Sequence, residues 1–154
     1  MKRYALILAL VMALAAGFGC AKKTTSEPGY SGISPEMQAA IKQITDERVY
    51  FAFDSYKLDK KYQPVLQTKA NLMKQYPSIR VRIEGNCDER GTQEYNLALG
   101  ERRARVVYDH LSTLGVNPSQ MEMLSYGKEN PAEQGSGQAV WAKNRRDDFK
   151  VIAH

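Results

Sequence analysis

The chain has 154 residues, 43% of them hydrophobic, and carries 22 Lys and Arg against 17 Asp and Glu, for a net charge of +5. That length builds one domain with a real core and not two. So modest an excess of positive charge argues against nucleic-acid binding, which shows as a concentrated basic face.

Lys2 and Arg3 precede an apolar run from Ala5 to Ala16, followed by small residues up to Cys20. This is the layout of a secretory signal. The run is too short to cross a bilayer, which takes roughly 20 apolar residues, so residues 1–19 are expected to be cleaved as a signal peptide. The sequence Ala16-Gly17-Phe18-Gly19-Cys20 resembles a bacterial lipobox, with Gly17 standing where an aliphatic residue is usual. The resemblance implies lipid on Cys20. Two or three acyl chains hold a protein where one binds marginally, each buried methylene adding ~0.8 kcal/mol. By the lipoprotein sorting rule, Ala21 in place of Asp implies the outer membrane, with the domain facing the periplasm. Losing Lys2 and Arg3 leaves 20 of the 22 basic residues against 17 acidic ones, a net charge of +3. With Cys20 lipidated, Cys87 has no disulfide partner. It reads as a small, half-buried side chain without chemistry, the alternative being a reactive thiol.

Residues 20–46 read as the lipidated cysteine and a flexible linker: Ala21 to Ser34 is Lys, Thr, Ser, Gly and Pro with almost no large aliphatic side chain. Pro35 to Ile44 could add a short helix. The domain is expected over residues 47–154. Val49-Tyr50-Phe51-Ala52-Phe53 is β-branched and aromatic and reads as a strand bounded by Asp54-Ser55. Gln63 to Tyr76 places Val65, Leu66, Leu72, Met73 and Tyr76 at helical spacing, with Pro64 in the first turn. Ile79, Val81 and Ile83 alternate with Arg80, Arg82 and Glu84, as in a half-buried strand.

A loop from Gly85 to Gly91 leads to a helix that Thr92 can N-cap. Its core stripe is Gly100, Ala104, Val107, Leu111 and Leu114, with Gly115 as the stop. On its surface Glu101 and Arg105 are spaced as an i, i+4 pair. Met121 to Tyr126 reads as a strand after a turn at Asn117-Pro118, Ala139 to Asn144 as a helical turn, and Phe149 to Ile152 as a closing strand. The sum is an α+β two-layer sandwich in βαβαββ order, with helices on one face of a four-stranded sheet.

The stretch from Gly85 to Ala104 carries the candidate site. Asp88 lies in the loop, while Asn96, Leu99 and Arg103 share one helix face next to the core stripe. An acid and an arginine with an amide between them give one negative and one positive pole. Such a site suits a zwitterion: the carboxylate attracts an ammonium and the guanidinium takes a carboxylate bidentately.

Asp88-Glu89-Arg90-Gly91-Thr92, Glu94-Tyr95-Asn96 and Gly100-Glu101-Arg102-Arg103-Ala104 resemble the signature of the OmpA-like domain, in the wording of its peptidoglycan-associated lipoproteins. So do Phe51-Ala52-Phe53-Asp54, Ser125-Tyr126-Gly127-Lys128-Glu129 and Ala142-Lys143-Asn144-Arg145-Arg146, so that residues 48–154 are covered in order. The resemblance implies a mixed four-stranded sheet and peptidoglycan as ligand, through the diaminopimelate of the stem peptide. It implies Asp88 on the ligand's amine, Arg103 on its carboxylate, Asn96 and Leu99 lining the pocket, and contacts, including backbone amides, from Phe53 and Asp54. Related sequences commonly have His-Ala where this chain has Asn86-Cys87. Asn144, Arg145 and Arg146 are expected to tie the last strand to the fold.

The residues give no support to catalysis. His110 and His154 stand in no motif, and neither Cys-x-x-Cys nor His-Glu-x-x-His occurs. Adjacent carboxylates such as Asp88 and Glu89 rarely straddle a glycosidic bond. No metal or cofactor is expected. The resemblance implies TolB and other Tol proteins as partners, in the Tol–Pal system that draws the outer membrane inward at division; the alternatives are an adaptor whose wall binding is incidental and a generic OmpA-like wall-anchoring lipoprotein outside that system. A stator or adhesin built on the same module usually carries further domains.

Overall fold

The structure, a computed structural model, describes residues 32–154. The expected signal peptide, the Cys20 expected to carry lipid and nearly all of the linker lie outside the described residues. Four helices and four strands follow in order: α1 (Pro35–Asp46), β1 (Val49–Tyr50), α2 (Gln63–Gln75), β2 (Arg80–Asn86), α3 (Gln93–Thr113), β3 (Met121–Gly127), α4 (Gln138–Asn144) and β4 (Arg146–Ala153). The sheet order is β1-β4-β2-β3. β2 pairs parallel with β3 and antiparallel with β4, which in turn pairs antiparallel with β1, so the sheet is mixed as expected.

Local chemistry sets the helix ends. Ser34 accepts a hydrogen bond from the Met37 N–H at 3.2 Å and Thr92 one from the Tyr95 N–H at 3.2 Å, each satisfying an orphan donor of a first turn. Gly115 ends α3 with φ of 85°, a left-handed conformation that costs glycine nothing. One face of the sheet presents Val49, Val81, Ile83 and Phe149 to Ala40 and Ile44 of α1, Leu66, Ala70 and Met73 of α2, and Ala104, Val107 and Leu111 of α3, all in one apolar cluster.

The layers come closest where glycine meets glycine. A Cβ on Gly85 would lie 2.0 Å from the Gly100 carbonyl oxygen, and one on Gly100 would lie 2.3 Å from Ser125 Oγ. Lacking both, α3 settles onto β2 at the end of the strand that carries the candidate site.

Among the boundaries that differ from those read in the sequence, three shape the site. β1 stops at Tyr50 rather than Phe53, because beyond it arginine side chains replace the sheet as partner for the backbone. The Phe51 carbonyl accepts from Arg145 Nε (3.0 Å), that of Ala52 from Arg103 Nη2 (3.2 Å) and that of Ser55 from Arg103 Nε (2.9 Å). β2 continues through Asn86, held on both sides by β3 and β4. β4 begins at Arg146, whose register partners are Tyr50 and Asn86. On the outer side of α3, Arg105 does not pair with Glu101 and lies over Tyr108, 5.7 Å from the ring centre.

Candidate functional site

Where β2 ends and α3 begins, a pocket of about 190 Å³ is lined by Phe53, Asp54, Cys87, Asp88, Arg90, Gly91, Tyr95, Asn96, Leu99, Arg103 and Arg145. All six residues singled out for ligand binding line it. The two glycines seat α3 deeply enough for Asn96, Leu99 and Arg103, on one helix face, to be buried against the loop from Cys87 to Gly91. The segment from Phe51 to Ser55 closes the far wall, fastened by the arginines.

Arg103 is wholly buried. Its guanidinium donates to the carbonyls of Ala52, Ser55 and Asn86 and, at 3.4 Å, to the sulfur of Cys87. Every partner is neutral, so the charge stands in the interior without a hydrogen-bonded counter-ion, and burial pulls it below the usual arginine value. Cys87 is also buried, its thiol pushed up to about 11 by burial, and it donates to the Asn96 carbonyl at 3.3 Å. That corrects the half-buried reading. The reactive alternative fails as well, since a thiol so far above neutral pH carries almost no thiolate.

Asp88 is not the lone negative pole the sequence suggested. Arg90 grips it with two nitrogens, Nε at 3.0 Å and Nη2 at 2.7 Å, and Arg145 Nη1 adds a third contact at 3.2 Å. Burial works against its charge, but the bonds from Arg90 and Arg145 outweigh it and hold the carboxyl below the usual range. Arg90 is itself stacked between two rings, 3.9 Å from the centre of Phe53 and 4.0 Å from that of Trp141. Trp141 donates to Glu89 at 2.8 Å, as does Ser136 at 2.6 Å, and Lys128 holds the Gly91 carbonyl at 2.9 Å. The loop is thus fixed before any ligand arrives.

The OmpA family model matches residues 50–145, which span the whole pocket. Over 168 aligned residues the chain is 37% identical to the peptidoglycan-associated lipoprotein of Pseudomonas aeruginosa, covering 97% of this chain and 98% of that one. The chain belongs to the peptidoglycan-associated lipoproteins of the OmpA family. A crystal structure of the peptidoglycan-associated lipoprotein from Burkholderia pseudomallei is 50% identical, with a TM-score of 0.68 over 69% of this chain and 91% of that one. The cell wall anchor of the type VI secretion system (T6SS) from Pseudomonas aeruginosa is 25% identical, with a TM-score of 0.58 over 68% of this chain and 76% of that one.

Within this lipoprotein the sequence reading missed Arg90 and Arg145. Arg90 follows Asp88 at i+2 inside the very motif that was singled out, which was the available signal. Arg145 was expected only to fasten the last strand; it does hold the Phe51 carbonyl, and it also reaches Asp88. Its neighbours are structural, as expected. Asn144 ties down the loop at Glu133, and Arg146 pairs with Asp148 and the Asn130 carbonyl. Asn96 spends its amide N–H groups on the carbonyls of Arg90 and Thr92, at 2.8 and 3.0 Å, so it shapes the loop. Phe53 is 61% exposed at the mouth, and Asp54, at φ of 52°, accepts from the Tyr95 hydroxyl. Among the described residues the N–H groups of Phe53 and Asp54 donate to no other backbone carbonyl. No cluster of three His, Cys, Asp or Glu among them is placed to hold a metal.

Proposed function

We propose that this pocket holds the side-chain end of diaminopimelate in an uncrosslinked peptidoglycan stem, and that the chain thereby links an outer membrane to the wall without catalysing a reaction. The observation that carries the reading is Arg103: a buried guanidinium bonded only to neutral acceptors and lining an open pocket. A buried charge of this kind is costly until an opposite charge meets it, and the one guanidinium N–H left without a partner, on Nη2, would be free to meet a carboxylate oxygen.

The full pocket refines the two-pole picture. Arg90, Arg103 and Arg145 face Asp88 and Asp54, so positive charge is in excess. A diaminopimelate that ends its stem carries two carboxylates and one ammonium, which complements that excess. The ammonium would share Asp88 with its two arginines, and the free N–H groups at Phe53 and Asp54 would meet carboxylate oxygens. A diaminopimelate whose amine is spent in a crosslink has lost the charge that Asp88 selects.

Retention by walls of two kinds tests this. Sacculi with diaminopimelate stems should retain the protein, and walls with lysine in its place, which lack the second carboxylate, should retain it far less. Equal retention would refute the assignment.

The tether belongs to the same proposal. Lipid on Cys20, with the domain in the periplasm, would place the pocket within linker reach of the wall, and no helix among the described residues is long and apolar enough to cross a membrane. Cys20→Gly should free the protein from membranes; continued retention there would count against lipidation. Function within the Tol–Pal system, with TolB as partner, is the family's implication. Exposed Phe53 and Tyr95, which line the pocket, favour a protein partner on the same surface, so TolB and the wall would compete for it.

A further inference from the structure

Asp147 is the second residue of β4 and lies opposite Val49 and Gly85 in the sheet, so its side chain points, like those of Ile83 and Phe149, into the layer between sheet and helices. It is wholly buried, and neither carboxyl oxygen has a hydrogen-bond partner. Nothing in the fold rewards an acid here. The positions around it are filled by valine, isoleucine, phenylalanine and the paired glycines 85 and 100, and an apolar side chain would pack at less cost.

What Asp147 has is a neighbour. Arg103 lies one turn beyond Gly100 on α3, and its charge bears on Asp147 more strongly than any other. The Arg103 guanidinium lines the pocket and donates to the carbonyl of Asn86, the residue after Gly85, which lies opposite Asp147 in the sheet, so it borders both the pocket and the sealed carboxyl. The other charged groups around Asp147 are committed elsewhere. Arg146 and Asp148 pair on the opposite face of β4 at 2.8 Å, and Arg48, just before β1, also holds Asp148 at 2.9 Å. Lys69 of α2 lies over Phe149 and bonds the Ile44 carbonyl of α1. The Cys87 thiol contacts Arg103, and Arg145 is engaged with Asp88.

We propose that Asp147 is a positioning residue for ligand binding: it competes from behind for the charge of Arg103, so that docking of a ligand carboxylate in front is accompanied by uptake of a proton at Asp147. This rests on reading Arg103 as the holder of the ligand's carboxylate. Burial raises Asp147 well above the usual carboxylate range, and Arg103 is the principal influence opposing that rise. A second negative charge on the far side of Arg103 removes the opposition, and the buried carboxylate then takes a proton from solvent; only its O–H bond is made. The ligand-bound state holds more protons than the free state, so affinity falls as pH rises between the two pKa values of Asp147, by at most about tenfold per unit.

Titration calorimetry of the full chain with a stem tripeptide ending in diaminopimelate, in two buffers of different ionisation heat from about pH 5 to about pH 9, measures the proton directly. Wild type should take up as much as one proton within that range, with affinity falling as pH rises. Asp147→Asn should take up none and bind independently of pH, at least as tightly as wild type. Should the asparagine variant not fold, Asp147→Val, which matches Val49 and Phe149, serves the same purpose. No uptake by wild type at any pH, or equal uptake by the variants, would overturn the proposal. If the tripeptide fails to bind wild type, or binds Arg103→Ala as tightly, the reading of the pocket falls too. If it binds through Arg103 and no proton moves, the role of Asp147 alone is refuted.

Discussion

Lys69→Met should stabilise the domain at neutral pH and lose that advantage in alkali. Lys69 is 1% exposed, with its amine on the Ile44 carbonyl in the last turn of α1 and 4.2 Å from the centre of the Phe149 ring. Burial lowers its pKa from 10.5 to about 8, against the opposing pull of Glu47 and Asp46. Below about pH 8 the amine is charged in both folded and unfolded chains, and the fold bears the whole cost. At 1.36 kcal/mol per unit that cost is about 3 kcal/mol. Between about pH 8 and 10.5 the folded chain releases its proton first, so stability rises with pH and the cost disappears. Met keeps the stem and removes the charge, while leaving the Ile44 carbonyl short of a donor at about 1 kcal/mol. Urea denaturation should therefore find the variant about 2 kcal/mol more stable near pH 7, with the difference moving roughly 2–3 kcal/mol towards wild type by pH 10. The same difference at both pH values would show that Lys69 is not held in a desolvated site.

Other consequences can be checked as directly. Gly85→Ala drives a Cβ into the Gly100 carbonyl at 2.0 Å, backbone against backbone. It should cost several kcal/mol, about 3 or more, by lifting α3 from β2, and should lower the urea midpoint and weaken wall binding together. Cys87 should resist iodoacetamide near pH 8 in the folded protein and react fully in urea, because its thiol titrates at about 11 behind Arg103. Arg90→Ala removes the bidentate partner that holds Asp88 ionised, so its carboxyl should titrate higher. Wall retention by that variant should then fail at a higher pH than wild type as the solution is acidified; identical acid profiles would exclude Arg90 from tuning Asp88.

Much of this was legible in the sequence, because the signals were local. The inward placing of Val81 and Ile83, the stripe from Gly100 through Ala104, Val107 and Leu111, the Thr92 cap and the Gly115 stop each depend on near neighbours and stand as read, although Glu84, expected on the open face of β2, is buried. What escaped depends on partners distant in the chain. Phe51-Ala52-Phe53 has the composition of a strand, yet arginines 51 and 94 residues away take the carbonyls of Ala52 and Phe51 and lift the segment from the sheet. Arg90 and Arg145 look like surface charges until Trp141 and Phe53 close over one and Asp88 meets the other. Lys69 and Asp147 were invisible for the same reason: a charged side chain reads as solvent-facing, and only the assembled layers bury it.

The most direct trial of wall gripping is cosedimentation of the chain with purified diaminopimelate-type sacculi, comparing wild type with Asp88→Ala and Arg103→Ala and checking each fold by circular dichroism. Wild type should pellet with the wall, while both variants, still folded, stay in solution. Arg103→Lys, which keeps the charge but not the fork, should retain binding only weakly. Undiminished pelleting of folded Asp88→Ala and Arg103→Ala would contradict the assignment of this pocket to the peptidoglycan stem.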